Sequence, residues 1–223
     1  YCICLLSMKL WLNEILACPE DKHFPLYLYI LKWNTEKRKL DFPSIIHDFK
    51  AGTLEPDIPK GLVEIKEEPG QPIKIKDMIA IKPMEPKEYI ETLLKSIVEL
   101  DYVFDYSPDA KTNATEIINF IKTEIRDNLQ RELANVSTKD SAALKKVIDR
   151  LYPAFGLLNI VKIIHEVDVG ILYCEKCNRW FPMFDSIPQM LPDKFRVKDS
   201  DAEFKEQWFS KIPSEISSKF LNP

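Results

Sequence analysis

Cys174-Glu175-Lys176-Cys177 and, far ahead of it, Cys18-Pro19-Glu20-Asp21-Lys22-His23 decide how this chain folds. Each stretch offers two soft or borderline donors at short spacing. Neither can complete a tetrahedral Zn²⁺ alone. If one ion joins them, both ends of the chain form one small module and the residues between are an insertion. Cys-x-x-Cys between two strands is knuckle geometry, and Asn178 after it tolerates the left-handed backbone such turns need. Cys18 and His23 are the expected partners of Cys174 and Cys177, with Asp21 or His165 as substitutes for His23. Four protein ligands leave no open position, so the site reads as structural, and it would contribute on the order of 10 kcal/mol to folding.

Working outward, Leu10 to Ala17 reads as a short helix stopped by Pro19. Phe24 to Trp33 reads as a strand with both faces apolar: Phe24, Leu26, Leu28 and Ile30 on one side, Tyr27, Tyr29 and Leu31 on the other. From Asp41 to Pro86 the text is rich in proline, which argues against long helices. Leu62 to Lys66 and Ile73 to Ile81 are the candidate short strands there. Pro86 then opens a helix expected to reach about Phe104, with Tyr89, Leu93, Ile97, Leu100 and Phe104 on its stripe. Asn113 with Glu116 resembles a capping box, followed by Ile117, Ile121, Ile125, Leu129 and Leu133. A third helix is expected from Asp140 to Leu151, ended by Pro153, and another short one from Phe155 to His165. Val169 to Tyr173 leads into the second cluster and Arg179 to Phe184 leads out of it, both as strands. The tail from Asp199 carries Phe204, Trp208 and Phe209 at helical spacing.

The fold expected is therefore α+β: a small zinc-ribbon-like β module built from both chain ends, with a large, mainly helical insertion. The module takes residues 8–34 and 166–198, the insertion 35–165, and an aromatic tail 199–223.

Composition narrows the function. The 223 residues include 31 Lys plus Arg and 35 Asp plus Glu, a net charge of -4, which speaks against a protein that holds nucleic acid by charge. Lys37-Arg38-Lys39, Lys145-Lys146 with Arg150, and Glu67-Glu68 read as solvated surface. Five cysteines without regular spacing do not form a disulfide framework and fit a reducing compartment, here the cytoplasm. No apolar run reaches the roughly 18 residues of a membrane helix. Ile15-Leu16-Ala17-Cys18 imitates a lipoprotein cleavage site, but Asn13 and Glu14 break its apolar region. Met8-Lys9-Leu10 reads as a natural start, with Tyr1 to Ser7 upstream of it and Cys2 and Cys4 incidental. The five glycines assemble neither a dinucleotide fingerprint nor a P-loop. His47 and His165 stand alone, and no Ser, His and carboxylate set suggests a nucleophile with its base. Asn113-Ala-Thr115 and Asn135-Val-Ser137 are sequons only in a secreted chain.

Three segments together resemble one family. Met8-Lys-Leu-Trp-Leu-Asn-Glu-Ile-Leu-Ala-Cys18-Pro is similar to its first helix and first ligand. His23-Phe-Pro-Leu-Tyr27 is similar to its second ligand position, usually a cysteine, and the next strand. Cys174-Glu-Lys-Cys177 through Arg179-Trp-Phe-Pro-Met-Phe and Ile187-Pro-Gln-Met-Leu-Pro192 is similar to its knuckle, strand and terminal loop. The family is the small zinc-binding activator subunit of tRNA, rRNA and release-factor methyltransferases of archaea and eukaryotes. The resemblance implies a non-catalytic chain that forms a heterodimer with a SAM-dependent methyltransferase catalytic subunit through strand pairing and apolar burial. The contact surface expected on that reading is Trp11, Leu12, Phe181, Met183, Phe184, Ile187, Pro188, Met190 and Leu191. Two other readings compete: a zinc-ribbon nucleic-acid or transcription-associated module, and a thiol–disulfide oxidoreductase using Cys174 and Cys177. The second normally caps a helix of a βαβ unit, which this pattern lacks.

Overall fold

The computed structural model describes residues 7–54, 58–68, 70–137 and 140–220. The readings of Tyr1 to Leu6, with Cys2 and Cys4, lie outside the described residues. Among the described residues seven strands run in chain order: β1 Tyr27–Trp33, β2 Val63–Lys66, β3 Lys74–Asp77, β4 Val103–Asp105, β5 Val167–Cys174, β6 Arg179–Phe184 and β7 Ile187–Pro188. Seven α-helices accompany them among the described residues: α1 Phe42–Ala51, α2 Pro86–Val98, α3 Thr115–Phe120, α4 Arg126–Glu132, α5 Ser141–Asn159, α6 Lys198–Trp208 and α7 Ser214–Ser217. The fold is mixed α/β. Among the described residues no helix is long and apolar enough to cross a membrane.

The chain divides into two units. The first comprises the described residues of Tyr1–Leu40, Tyr102–Thr115 and His165–Pro223, the second those of Asp41–Asp101 and Glu116–Ile164. The division differs from the expected 35–165 insertion, because residues 102–115 return to the first unit. β4 adds to β1 in parallel, Leu28 opposite Val103 and Ile30 opposite Asp105. Asp105 pins this return. Its buried carboxylate accepts from Trp33 Nε1 at 2.7 Å, Ser107 N at 2.7 Å and Ala114 N at 2.6 Å.

The sheet of the first unit has the order β4-β1-β5-β6-β7. β5 is antiparallel to β1 and to β6, with Leu172 opposite both Leu28 and Phe181. Gly170 is needed at the centre, since a Cβ there would stand 2.8 Å from the carbonyl oxygen of Tyr29. One face carries Tyr29, Leu31, Val169, Ile171, Tyr173 and Trp180, and the tail covers it with Phe204, Ile212 and Phe220. Ring contacts tie the two layers: Phe204 and Phe209 to Trp180, and Phe220 to Tyr29 and Tyr173. The guanidinium of Arg196 and the ammonium of Lys205 both stand over the Trp180 ring, at 5.0 and 5.2 Å. The tail is thus core-forming rather than loose.

Several elements differ from the expectation. Leu10 to Ala17 is only a single 3₁₀ turn, Leu10–Glu14, without a side-chain cap. The buried Asn13 amide instead donates to Leu26 O at 3.1 Å, tying the turn to the strand entry. A ten-residue helix, α1, stands within the proline-rich text. Asp41 caps it through Ser44 N, a proline lies in its first turn, and Gly52 ends it in the left-handed region at φ 73°. α2 stops at Val98, so Phe104 lies on β4 rather than on the helix stripe. Pro153 sits inside α5 instead of ending a helix. Val147, Ile148, Leu151, Phe155 and Leu158 form one buried stripe across it, and that burial offsets the lost hydrogen bond. In the second unit, the buried Asp77 accepts from Tyr89 Oη and Asn159 Nδ2 and from the amides of Ile79 and Ala80.

His165 is 6% exposed, and burial, with the charge of Arg38 second, holds its imidazole down to about 4 from 6.5. Between those values the unfolded chain binds a proton that the folded chain refuses. Stability is therefore expected to fall by about 3 kcal/mol as pH drops from about 6.5 to about 4. Urea midpoints across that window should show this fall, and His165→Gln should flatten it.

Candidate metal centre

The first half of the centre is a closed turn. Cys18 N donates to His23 O at 2.9 Å and Lys22 N to Cys18 O at 3.0 Å, with Lys22 in the left-handed region at φ 59°. Inside the turn the His23 amide donates to Asp21 Oδ1 at 3.0 Å, which fixes the carboxylate. The second half is the turn between β5 and β6. Asn178 takes the left-handed conformation there, at φ 56°, and its Oδ1 accepts from Tyr173 Oη at 2.7 Å.

These turns bring Cys18, Asp21, Cys174 and Cys177 together, each offering one donor atom within 4.8 Å of the others. Cys18 Sγ lies 3.7 Å from Cys177 Sγ, and Cys174 Sγ lies 3.7 and 3.8 Å from the two Asp21 oxygens. Two sulfurs bound 2.3 Å from one tetrahedral ion would stand about 3.8 Å apart. The donor set and its spacing thus fit a tetrahedral metal.

Of the four ligands expected from sequence, Cys18, Cys174 and Cys177 gather and His23 does not. Asp21, the substitute, stands in the group in its place. The His23 Nε2 lies 3.8 Å from Glu175 Oε1, outside the cluster. His165 is also outside it.

Burial pushes the Cys174 thiol up to about 12 and raises the Cys18 thiol as well. A bound cation offsets that penalty by stabilising the thiolates. The same elevation is opposite to the lowered pKa of a redox-active pair. Burial also works against ionising Asp21, but the His23 amide, the Cys18 thiol and the charge of Lys176 outweigh it and hold the carboxyl below its usual range. Arg179 makes a bidentate bond to Asp193 at 2.7 to 3.0 Å, which engages the main cation after the knuckle.

The expected contact residues separate into two groups. Phe181 and Met183 are 0% exposed. They point to the sheet face opposite the tail, with Phe181 across from Leu172 and Met183 across from Gly170. Both are core, which corrects the expectation for them. Trp11, Leu12, Phe184, Pro188 and Met190 are half-buried, while Ile187 is 50% and Leu191 40% exposed. Phe195 and Val197, which sequence reasoning passed over, are exposed too. Their alternation with Lys194, Arg196 and Lys198 was the available signal. Leu191 and Val197 line a shallow hollow with Pro182 and Phe184.

Both long edges of the sheet are partly closed by the chain itself. The Asp105 carbonyl on β4 accepts from Asn113 Nδ2 and Thr115 Oγ1. On β6 the Trp180 carbonyl accepts from Arg196 Nη1 at 2.6 Å and that of Pro182 from Gln189 N at 2.8 Å.

No curated protein and no solved structure matches the chain. A family model described as Trm112p-like protein matches residues 9–186, which takes in both halves of the metal centre, while the aromatic tail lies beyond the matched segment. The chain therefore belongs to the Trm112p-like family, whose members are activators of methyltransferases rather than catalysts.

Proposed function

We propose that this chain is the non-catalytic activating and stabilising subunit of SAM-dependent methyltransferases that act on tRNA, rRNA or a translation release factor, working as a heterodimer in the cytoplasm. The observation that carries the reading is the family match over a segment that takes in Cys18, Cys174 and Cys177. The metal is zinc. Cys18, Cys174 and Cys177 hold it with a fourth side chain, and its task is structural. Zinc would stabilise the three thiolates, while the chain's own turns orient them. The catalytic chemistry belongs to the partner.

Docking runs through the loop beside the knuckle, where Ile187 and Leu191 are exposed and Phe184, Pro188 and Met190 half-buried, with Trp11 and Leu12. Apolar burial carries most of it. Strand pairing would use the outer side of β7, since Trp180 O and Pro182 O of β6 are already engaged within the chain. A catalytic subunit alone would expose the matching apolar patch and tend to aggregate.

Affinity purification of the full chain should capture a Rossmann-type methyltransferase. Ile187→Asp should weaken that capture at least tenfold, about 1.4 kcal/mol or more, because it places a charge in the desolvated contact. Ile187 is half exposed, so the melting temperature of the free subunit should hardly move. Undiminished capture by Ile187→Asp would refute this docking surface. Met183→Lys is not a usable probe, since it would bury a charge in the core.

A further inference from the structure

The structure gathers a carboxylate, not an imidazole, beside the three thiols. We propose that Asp21, and not His23, is the fourth metal ligand, so that the centre consists of three thiolates and one carboxylate. The inference rests on the zinc-holding part of the proposed function and names the ligand that completes it.

Three independent features support it. The first is distance. A sulfur at 2.3 Å and a carboxylate oxygen at about 2.0 Å from one tetrahedral ion would stand about 3.5 Å apart. Asp21 Oδ1 and Oδ2 stand 3.7 and 3.8 Å from Cys174 Sγ, and Asp21 shares the 4.8 Å group with all three cysteines.

The second is orientation. The two backbone bonds between Cys18, Lys22 and His23 close the loop and fix the directions in which its side chains leave it. The Asp21 carboxylate then lies inside the loop, held by the His23 amide at 3.0 Å. His23 thus acts on the centre through its backbone, as a positioning residue, while its ring lies near Glu175. A hydrogen bond of this kind fixes a ligand's orientation in metal sites generally.

The third is charge. Three thiolates and a carboxylate leave a zinc centre at -2, one unit more negative than with a neutral imidazole. Two cations stand where they offset that unit. Lys176 sits between Cys174 and Cys177 in the second turn, and Arg179, two residues after Cys177, also holds Asp193.

The test uses the full-length protein and zinc in competition with a chromophoric chelator, together with ¹⁵N chemical shifts of the histidine rings. Asp21→Asn keeps the shape of the side chain and its acceptor for the His23 amide but loses the charge. It is expected to weaken zinc binding at least tenfold, and His23→Gln is expected to stay within about threefold of the parent chain. In the parent chain, the His23 ring nitrogens should keep the shifts of an unmetallated imidazole when zinc is added. Metal-type shifts on His23, or a His23→Gln loss exceeding that of Asp21→Asn, would overturn the assignment while leaving zinc binding itself intact. Failure of the parent chain to bind zinc would overturn the zinc reading, and this assignment with it. The ring shifts are read on the unaltered chain, so they decide the matter even if Asp21→Asn folds poorly.

Discussion

Stripping the metal from the centre with a strong chelator at neutral pH is expected to destabilise the first unit by at least about 5 kcal/mol. The lower bound comes from chain entropy. An ion held there would join Cys18 to Cys177, 159 positions apart, and a covalent link closing a loop of about 100 residues is worth about 4.7 kcal/mol in the chain-entropy model. The upper scale comes from binding. Structural zinc in small domains supplies about 10–16 kcal/mol, all of it folding free energy where no other core exists. Here another core does exist. Trp180, Tyr173 and Tyr29 lie under Phe204, Ile212 and Phe220 of the tail, so the sheet retains an apolar layer that does not need the ion. The expected loss thus falls between those limits. Thermal unfolding followed by near-ultraviolet circular dichroism, where Trp180 and its ring neighbours report, checks it. Cys174→Ser should reproduce the chelated behaviour and be insensitive to added chelator.

Asp105→Ala is expected to cost about 4 kcal/mol, the largest loss from any single polar residue of the first unit. Hydrogen bonds to charged groups are worth about 1.5–3 kcal/mol each and do not add fully when they share one acceptor. Asp105 accepts three, from the Trp33 indole and the amides of Ser107 and Ala114, and all are buried. The same carboxylate anchors β4 to the turn beyond it. Losing it should therefore release residues 102–115 as a segment. Denaturant unfolding measures the cost. Hydrogen exchange should show loss of protection at the Tyr106 amide, which pairs with Ile30. Asp105→Asn keeps one acceptor oxygen and should lose less.

Much of the sheet was legible because its strands carry their own signal. The run from Phe24 to Trp33 is apolar on both faces, and the strand within it, Tyr27–Trp33, is covered on both, while Phe24, 42% exposed, lies before it. Arg179–Phe184 matches its expected bounds because a turn residue closes it at each end. β4 was not legible, for a physical reason. Tyr89, Leu93, Ile97, Leu100 and Phe104 keep helical spacing without a break, and three residues become a strand only through pairing with the distant Leu28–Ile30 segment. α1 was legible in principle: Asp41, Pro43 and Gly52 are its cap, first-turn proline and terminator. The number of prolines around it hid the signal. Pro153 shows the converse, a local breaker overridden by tertiary burial of the stripe on both sides of it.

That Cys18, Cys174 and Cys177 come together was readable from residue type and spacing alone. Which side chain stands beside them was not, because Asp21 and His23 are both chemically competent donors. What separates them is the backbone of one short turn, in which Lys22 adopts the left-handed conformation. The contact surface divides for a similar reason. Alternation along β6 sends Trp180 and Phe184 toward the tail and Phe181 and Met183 toward the opposite face. Only a structure reveals that both of those faces are filled. The exposed apolar residues that remain, Ile187 and Leu191, lie on the loop whose sequence resembled the family's terminal motif.

Zinc content of the purified chain shows whether one ion joins its two ends. Native mass spectrometry of the parent chain, Cys18→Ser and Cys174→Ser should show one zinc per parent chain and none retained by either variant. A metal-free parent chain, or full zinc retained by both variants, would contradict it.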